Sequence, residues 1–272
     1  MRPSVTEVAD FLVFLFQQHN LSYSALNTAR SALSCLLPNV DGVPVGKHDS
    51  IKRLLTGFFN IRPSIPRYSH TWDVAPVLDY LRNMHPLTDL SLKSLTLKLT
   101  MLLALVTGQR CQTLQKLNLK NLTQGQQLIF SFDSVLKHSR PGSKSQIVKL
   151  SPYELDKALC IVTVINDYIR RTECIRKQES QLLISFVKPH NAVSTDTIAR
   201  WLKTIMTLSG VDTTIFKAHS CRSASTSKAK DFDIPIDTIL QAGGWSSDKT
   251  FYNYYHKPQT DTFAHAVLHS KE

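Results

Sequence analysis

Ala218-His219-Ser220-Cys221-Arg222-Ser223-Ala224-Ser225 is the stretch from which the rest of this 272-residue chain can be read. It is followed by Gly243-Gly244-Trp245 and the pair Tyr254-Tyr255, and preceded far upstream by Arg110 and Lys137. Taken in order, Arg, Lys, His-x-x-Arg, Trp and Tyr are the groups needed to hold a phosphodiester and attack it with a phenol. Two arginines clamp the non-bridging oxygens and gain most as negative charge develops there. A phenol, which ordinarily ionises near pH ~10, loses its proton more readily beside guanidinium groups and so can serve as nucleophile. A lysine on a hairpin tip can protonate the leaving 5′ oxygen. The product is a covalent 3′-phosphotyrosyl intermediate that conserves the bond energy, so the set requires neither ATP, another cofactor nor a metal.

With these residues in view the chain resembles the tyrosine recombinase (phage integrase-like) superfamily, and within it the recombinases of DIRS/Ngaro-type and Crypton-like mobile elements. The likeness rests on Thr107-Gly108-Gln109-Arg110, on Lys137-His138-Ser139-Arg140-Pro141-Gly142, on the His-x-x-Arg stretch, and on Gly244-Trp245-Ser246-Ser247 with Thr250-Phe251 before the tyrosines. It extends from about Val5 to Leu268. Each string alone is common; their order is specific.

Composition is compatible with this reading. A hydrophobic content of 42% is enough for a buried core in one large domain or two ordinary ones. The formal net charge of +11 suits a polyanionic partner. Cysteines at 35, 111, 160, 174 and 221 form no C-x-x-C pair, which points to reduced thiols in the nucleus or cytoplasm and away from a zinc site. The apolar run Leu95 to Val106 falls short of the roughly 20 residues of a membrane span and reads as a buried helix. Glu7 and Asp10 stand where a secretory leader would be basic, so neither a leader nor a membrane partner is expected.

The first sixty residues predict three amphipathic helices. Ser4 and Glu7 form a capping box ahead of Val8, Phe11, Leu12, Leu15 and Phe16. The second helix, from about Ser24 to Pro38, puts Ala25, Ala29, Ala32, Leu33 and Leu36 on one face and Asn27, Arg30, Ser31 and Ser34 on the other. The third, about Ser50 to Phe59, buries Ile51, Leu54, Leu55 and Phe58 and leaves Lys52 and Arg53 outside. By resemblance this unit, residues 1–61, is a core-binding domain that clamps DNA, one helix shorter than is usual. Arg62-Pro63-Ser64-Ile65-Pro66-Arg67 reads as linker because its prolines oppose helix, and the linker is taken as residues 62–71.

Residues 72–272 read as the larger, catalytic domain. Asp73 is a plausible N-cap ahead of Pro76, and the long apolar helix from about Ser91 stops at Gly108, which places Arg110 in a turn between helices. Gln126 to Phe132 and Gln146 to Leu150 predict strands of a small antiparallel sheet, with the basic turn Lys137 to Gly142 between them. Ser151-Pro152-Tyr153-Glu154 predicts a helix start, continuing with Leu155, Leu159, Val162, Ile165 and Ile169 and ending at Arg170-Arg171. Leu182 to Phe186 reads as a further short strand. Ile198, Trp201, Leu202, Ile205 and Met206 mark a helix closed by Gly210, with Arg200 and Lys203 on its other side. The expected fold is mostly α with a small antiparallel β-sheet, in two domains.

What the resemblance implies for the site is then specific. Arg110 and Arg222 are the phosphate clamp, His219 the proton shuttle, and Trp245 a ring N–H donor that also packs the site. Many relatives carry an acidic residue three positions beyond the first arginine to orient it; this chain has Thr113. Lys137 is preferred to Lys144 as the hairpin lysine because it begins the Lys-x-Ser-Arg-Pro-Gly string. Nine residues beyond Trp245 lies Tyr254, the commonest spacing, whereas the Tyr-x-Lys-Pro pattern with Lys257 and Pro258 selects Tyr255. Tyr255 is favoured, Tyr254 is the alternative, and Tyr252 a third choice. Arg30, Lys52, Arg53, Arg140, Lys144, Arg200 and Lys203 are candidate phosphate contacts. Partners are double-stranded DNA and further copies of the chain, since strand exchange with one tyrosine per protomer calls for a homo-tetramer. Phe263, Ala266, Val267 and Leu268 form an apolar tail that docks on a neighbour or covers its own domain. Two other readings stay open: a DNA-binding descendant without activity, and a topoisomerase IB-like nicking and closing enzyme.

Overall fold

The computed structural model describes residues 3–63, 68–134, 136 and 146–257. The chain divides into two compact units, Met1–Arg67 and Tyr68–Glu272. The first holds α1 (Val5–Gln17), α2 (Tyr23–Leu36) and α3 (Asp49–Ile61); the second holds α4 (Ala75–Asn83), α5 (Leu92–Thr107), α6 (Cys111–Gln115), β1 (Leu122–Gln124), β2 (Leu128–Ser131), β3 (Ile147–Leu150), α7 (Ile161–Thr172), α8 (Thr195–Leu208), α9 (Ser220–Asp231), α10 (Ile236–Gly243) and α11 (Asp248–Tyr254). The mostly helical architecture with one small antiparallel sheet is the expected one. Among the described residues no helix is long and apolar enough to cross a membrane.

In the first unit the capping box forms as read: the Ser4 hydroxyl accepts from Glu7 N–H while the Glu7 carboxylate accepts from Ser4 N–H. Val8, Leu12 and Phe16 of α1 meet Leu26, Ile51, Leu55 and Phe58, with Phe16 and Phe58 stacked at 4.4 Å. Two details depart from the apolar pattern. Phe11 stays exposed, and α2 buries Leu26, which the reading omitted, while Leu36 faces solvent. A leucine removes far more apolar surface from water than the alanines at 25 and 32, so it sets the orientation of α2. Arg30 is also corrected: instead of lying on an outer face it is half-buried and reaches the carbonyl of Gly46 at 3.4 Å. Arg62 belongs to this packing, its guanidinium 4.2 Å over the Phe16 ring and donating to the Leu21 carbonyl at 3.0 Å.

In the second unit α5 is buried along most of its length because α7, α8 and α9 all pack against it. Its threonines 96, 100 and 107 return their hydroxyls to carbonyls one turn back, which lets polar residues sit in the core. Gly108 ends the helix in the left-handed region at φ 58°, as a C-terminal glycine should. The sheet runs β1-β2-β3, antiparallel throughout, with Phe130 opposite Val148. Its first strand was not anticipated, Leu122-Thr123-Gln124 having a single large apolar residue.

Three expected elements change. Asp73 accepts from Ala75 N–H at 3.1 Å, yet the N-cap position of α4 is Val74. α7 begins at Ile161 rather than near Ser151, and Leu155 is exposed. Asp156 explains this: its carboxylate takes Arg82 of α4 at 2.7 Å and caps the short turn Lys157–Leu159, so a tertiary ion pair overrides the local helix signal. The Arg82 guanidinium in turn holds the Asp156 carboxyl below the usual carboxylate range. Leu182, Leu183 and Ile184 are buried in irregular chain, held by bridges Asn118 to Gln181 and Ile184 to Ala192 in place of a strand.

Lys98 is fully buried in α5 and donates to the Met84 carbonyl. Burial pushes its ammonium down to about 8, with Asp156 opposing. Between that value and the ordinary lysine pKa of about 10.4 the unfolded chain binds the proton and the folded chain does not, so this group's contribution to stability rises with pH across that window. Below pH 8 the buried charge is a standing cost. Lys98→Met is therefore expected to raise the unfolding midpoint at pH 7 by roughly 2–4 °C and to narrow its advantage as pH rises from 8 to 10. A lower midpoint at pH 7 would mean that the bond to Met84 outweighs the cost of the charge.

Candidate active site

Three turns of the second unit converge around one guanidinium. Arg222, in the first turn of α9, is 1% exposed. Its two terminal nitrogens donate to backbone carbonyls, one to Gly108 at the end of α5 (2.5 Å) and one to Gly243 at the end of α10 (2.6 Å). Its face stacks on Trp245 at 3.8 Å. The first turn continues into Arg110, the N-cap residue of α6, whose carbonyl accepts from Thr113 and Leu114 N–H at 2.9 and 3.0 Å. Gln109 ties this turn to the end of α10 through the Ala242 carbonyl at 2.5 Å. Thr113 is buried.

The glycines are sterically required where the turns meet. A Cβ on Gly243 would lie 2.1–2.2 Å from the Trp245 ring, and Gly244 takes φ 66° to reverse the chain. Gly-Gly-Trp thus folds the indole back over its own turn and under Arg222.

α11 then brings in the tyrosines. Tyr255 follows its last residue; the ring packs 4.6 Å from Trp245, lies 5.0 Å from the Arg222 guanidinium carbon, and the phenol oxygen is 3.4 Å from His219 Nε2. Tyr254, on the adjoining position, is 71% exposed. Neighbouring helical side chains diverge by about 100°, so only one of the pair can face the cluster. Tyr252 packs with Phe251 and His256 on the outer side of α11. The Tyr255 backbone is anchored as well: its carbonyl accepts from the hydroxyls of Ser223 and, at 3.1 Å, Ser227. Sequence reasoning missed both serines, although their spacing of four on the helix that carries His219 and Arg222 is visible in the chain.

Electrostatics give the cluster its direction. Burial first, then the neighbouring charge of Arg110, push Arg222 down to about 10, still cationic at neutral pH. Arg222 Nε–H and Trp245 Nε1–H are buried donors with no partner among the described residues, and each such group costs about 1–3 kcal/mol. The Arg222 and Trp245 side chains, each with one such N–H, pack beside the Tyr255 phenol, and N–H donors of this kind suit an oxyanion. The backbone at the start of α9 offers no open anion cradle, since the N–H groups of Ser220, Cys221 and Arg222 already bond to Lys217, Ala218 and His219. His219 and Arg222 contribute through their side chains.

The remaining candidates are dispersed. Lys137, Arg140 and Lys144 lie outside the described residues, in the connection between β2 and β3. Lys52 is exposed and pairs with Asp49 at 3.0 Å, and Arg53, Arg200 and Lys203 are exposed on α3 and α8. Arg170 pairs with Asp167, whereas Arg171 is turned inward onto the Leu87 and Leu90 carbonyls and does not extend a basic surface. Among the described residues no cluster could hold a metal ion.

The packing of Gly243 against Trp245 is directly testable. Gly243→Ala is expected to displace the indole, destabilising the unit by roughly 1–3 kcal/mol and red-shifting tryptophan emission as Trp245 becomes wetter. Unchanged emission and unfolding midpoint would contradict the close approach.

Comparison with known proteins places the fold and the family. No curated protein matches the chain in sequence. Among solved structures, the XerH site-specific recombinase bound to palindromic difH substrate in a post-cleavage complex superposes with TM-score 0.65 at 13% identity, covering 98% of this chain and 72% of that one. The Tn1549 transposon integrase in complex with circular intermediate DNA gives 0.59 at 13% identity, covering 98% and 85%. A lambda integrase dimer bound to a COC′ core site gives 0.54 at 15% identity, covering 99% and 83%. At such identities the likeness speaks for the fold. The sequence model described as the phage integrase family matches residues 78–260, a span running from α4 past Tyr255. The chain belongs to the phage integrase family, the tyrosine recombinases.

Proposed function

We propose that this chain cuts and rejoins duplex DNA at specific sites through a 3′-phosphotyrosyl intermediate, serving a mobile element of the DIRS/Ngaro or Crypton-like kind. The observation that carries the proposal is the packing of Trp245 and Tyr255 on the buried Arg222 guanidinium, with Arg222 Nε–H and Trp245 Nε1–H lacking partners among the described residues. Arg110 and Arg222 hold the non-bridging oxygens of the scissile phosphate and Trp245 donates one further hydrogen bond. Tyr255 Oη bonds to phosphorus as the bond from phosphorus to the 5′ oxygen breaks. The phenol proton passes to His219, 3.4 Å away, and the leaving 5′ oxygen takes a proton from Lys137. Attack by a 5′ hydroxyl of a partner duplex reverses each transfer and releases the tyrosine.

The exposed Lys52, Arg53, Arg200 and Lys203, together with Lys137, Arg140, Lys144 and the net charge of +11, supply the phosphate contacts that hold DNA on both units. A tetramer on DNA follows from the chemistry, because exchange between two duplexes cuts four strands with one tyrosine each. A lambda integrase tetramer has been captured on a Holliday junction. Thr113 in place of an acid favours a second reading, a DNA-binding descendant that no longer cleaves; the same experiment separates the two.

On a suicide-nicked duplex carrying the element's end sequence, the wild-type chain is expected to form a covalent adduct that peptide mapping locates at Tyr255. Tyr255→Phe should lower adduct formation by on the order of 1,000-fold or more with DNA affinity retained, while Tyr254→Phe leaves the adduct in place. An adduct that survives Tyr255→Phe and is lost with Tyr254→Phe would move the nucleophile by one residue. Specific binding with no adduct would favour the non-catalytic descendant.

A further inference from the structure

Helix α9 does more than present His219 and Arg222. Positions 219, 223 and 227 recur every four residues and share one face, and all three are engaged with the tyrosine segment. His219 Nε2 faces the Tyr255 phenol at 3.4 Å, and the hydroxyls of Ser223 and Ser227 both donate to the Tyr255 carbonyl. Ser227 also accepts from Lys257 N–H at 3.0 Å, so the chain is gripped on both sides of the turn that ends α11.

These contacts have a specific physical task. Tyr255 stands at the C-cap of a seven-residue helix. A helix that short holds itself weakly, and its last carbonyls have no partner within it. The two serines fill both lone pairs of the one carbonyl that belongs to the tyrosine itself. Ser223 is 5% exposed and Ser227 fully buried, so the bonds are sheltered from water.

Resting on the recombinase reading above, we propose that Ser223 and Ser227 are positioning residues: a paired hydroxyl latch that sets the Tyr255 backbone on the same helix that holds the scissile phosphate. Nucleophile and phosphate clamp then share one rigid reference, and the latch selects Tyr255 over the outward-facing Tyr254.

The test has two independent readouts. The first is nitration of the protein by tetranitromethane, with peptide mapping. Tyr254, 71% exposed, is the internal reference for a fully reactive ring. In the wild type Tyr255 should react several-fold more slowly than Tyr254, and in S223A/S227A the two should converge, with Ser227→Thr restoring protection. Unchanged protection of Tyr255 in the double variant overturns the latch whether or not the chain cleaves DNA. The second is single-turnover cleavage of a suicide duplex with a 5′-bridging phosphorothiolate, whose leaving thiolate needs no proton. S223A/S227A is expected to cleave at least tenfold more slowly than wild type on both this and the ordinary duplex, with DNA affinity within twofold and with Ser227→Thr restoring the rate. Wild-type rates in the double variant, or equal losses of binding and cleavage, would overturn the proposal. Absence of any adduct from the wild type would instead count against the recombinase reading and leave nitration to decide the latch.

Discussion

The second unit depends on what Arg222 does with its guanidinium. A buried cation requires partners, and here they are two backbone carbonyls, each at the end of a different helix, with an indole face beneath. Carbonyls at helix C-termini carry partial negative charge and otherwise lack partners, so they suit a cation that must stay charged. A carboxylate would satisfy Arg222 more fully and leave less of its charge for an incoming anion. Holding it by neutral dipoles joins α5, α9 and α10 and keeps that charge available.

The unfavourable features of the cluster become intelligible on the same view. Two like charges are brought together, and two buried N–H groups lack acceptors among the described residues. Each raises the free energy of the unliganded protein, and each is relieved by one anion with several oxygens. On the proposed function, a phosphate bound there would stabilise the unit, since a ligand that binds only the folded state shifts unfolding in its favour. Arg222 remains protonated well above neutral pH, so its charge is constant across the neutral range.

Much of this was legible in the chain because chemistry and sterics left few choices. Gly108, Gly244 and the His-x-x-Arg spacing each demand a particular local geometry, and the structure brings Arg222, His219, Trp245 and Tyr255 together. Apolar periodicity did less well wherever polar contacts decide. α9 buries Ser220, Ser223, Thr226 and Ser227, a face that no hydrophobic pattern reveals. The capping box at Ser151 was a sound local signal, but Asp156 is engaged by Arg82 seventy-four positions away, and nothing local announces such a pair. The choice between Tyr254 and Tyr255 was similarly beyond counting from Trp245. The serine pair four residues apart on α9 meets the Tyr255 carbonyl, a contact that is seen only in the folded chain.

On the proposed mechanism Arg222, Trp245 and Tyr255 surround the scissile phosphate. A crystal structure of the chain with a nicked duplex and orthovanadate in place of that phosphate tests it most directly. The expected result is a vanadate with Tyr255 Oη apical and its equatorial oxygens within hydrogen-bond distance of Arg222 Nε and Trp245 Nε1. A vanadate bound elsewhere, or one taken by Tyr254, would contradict it.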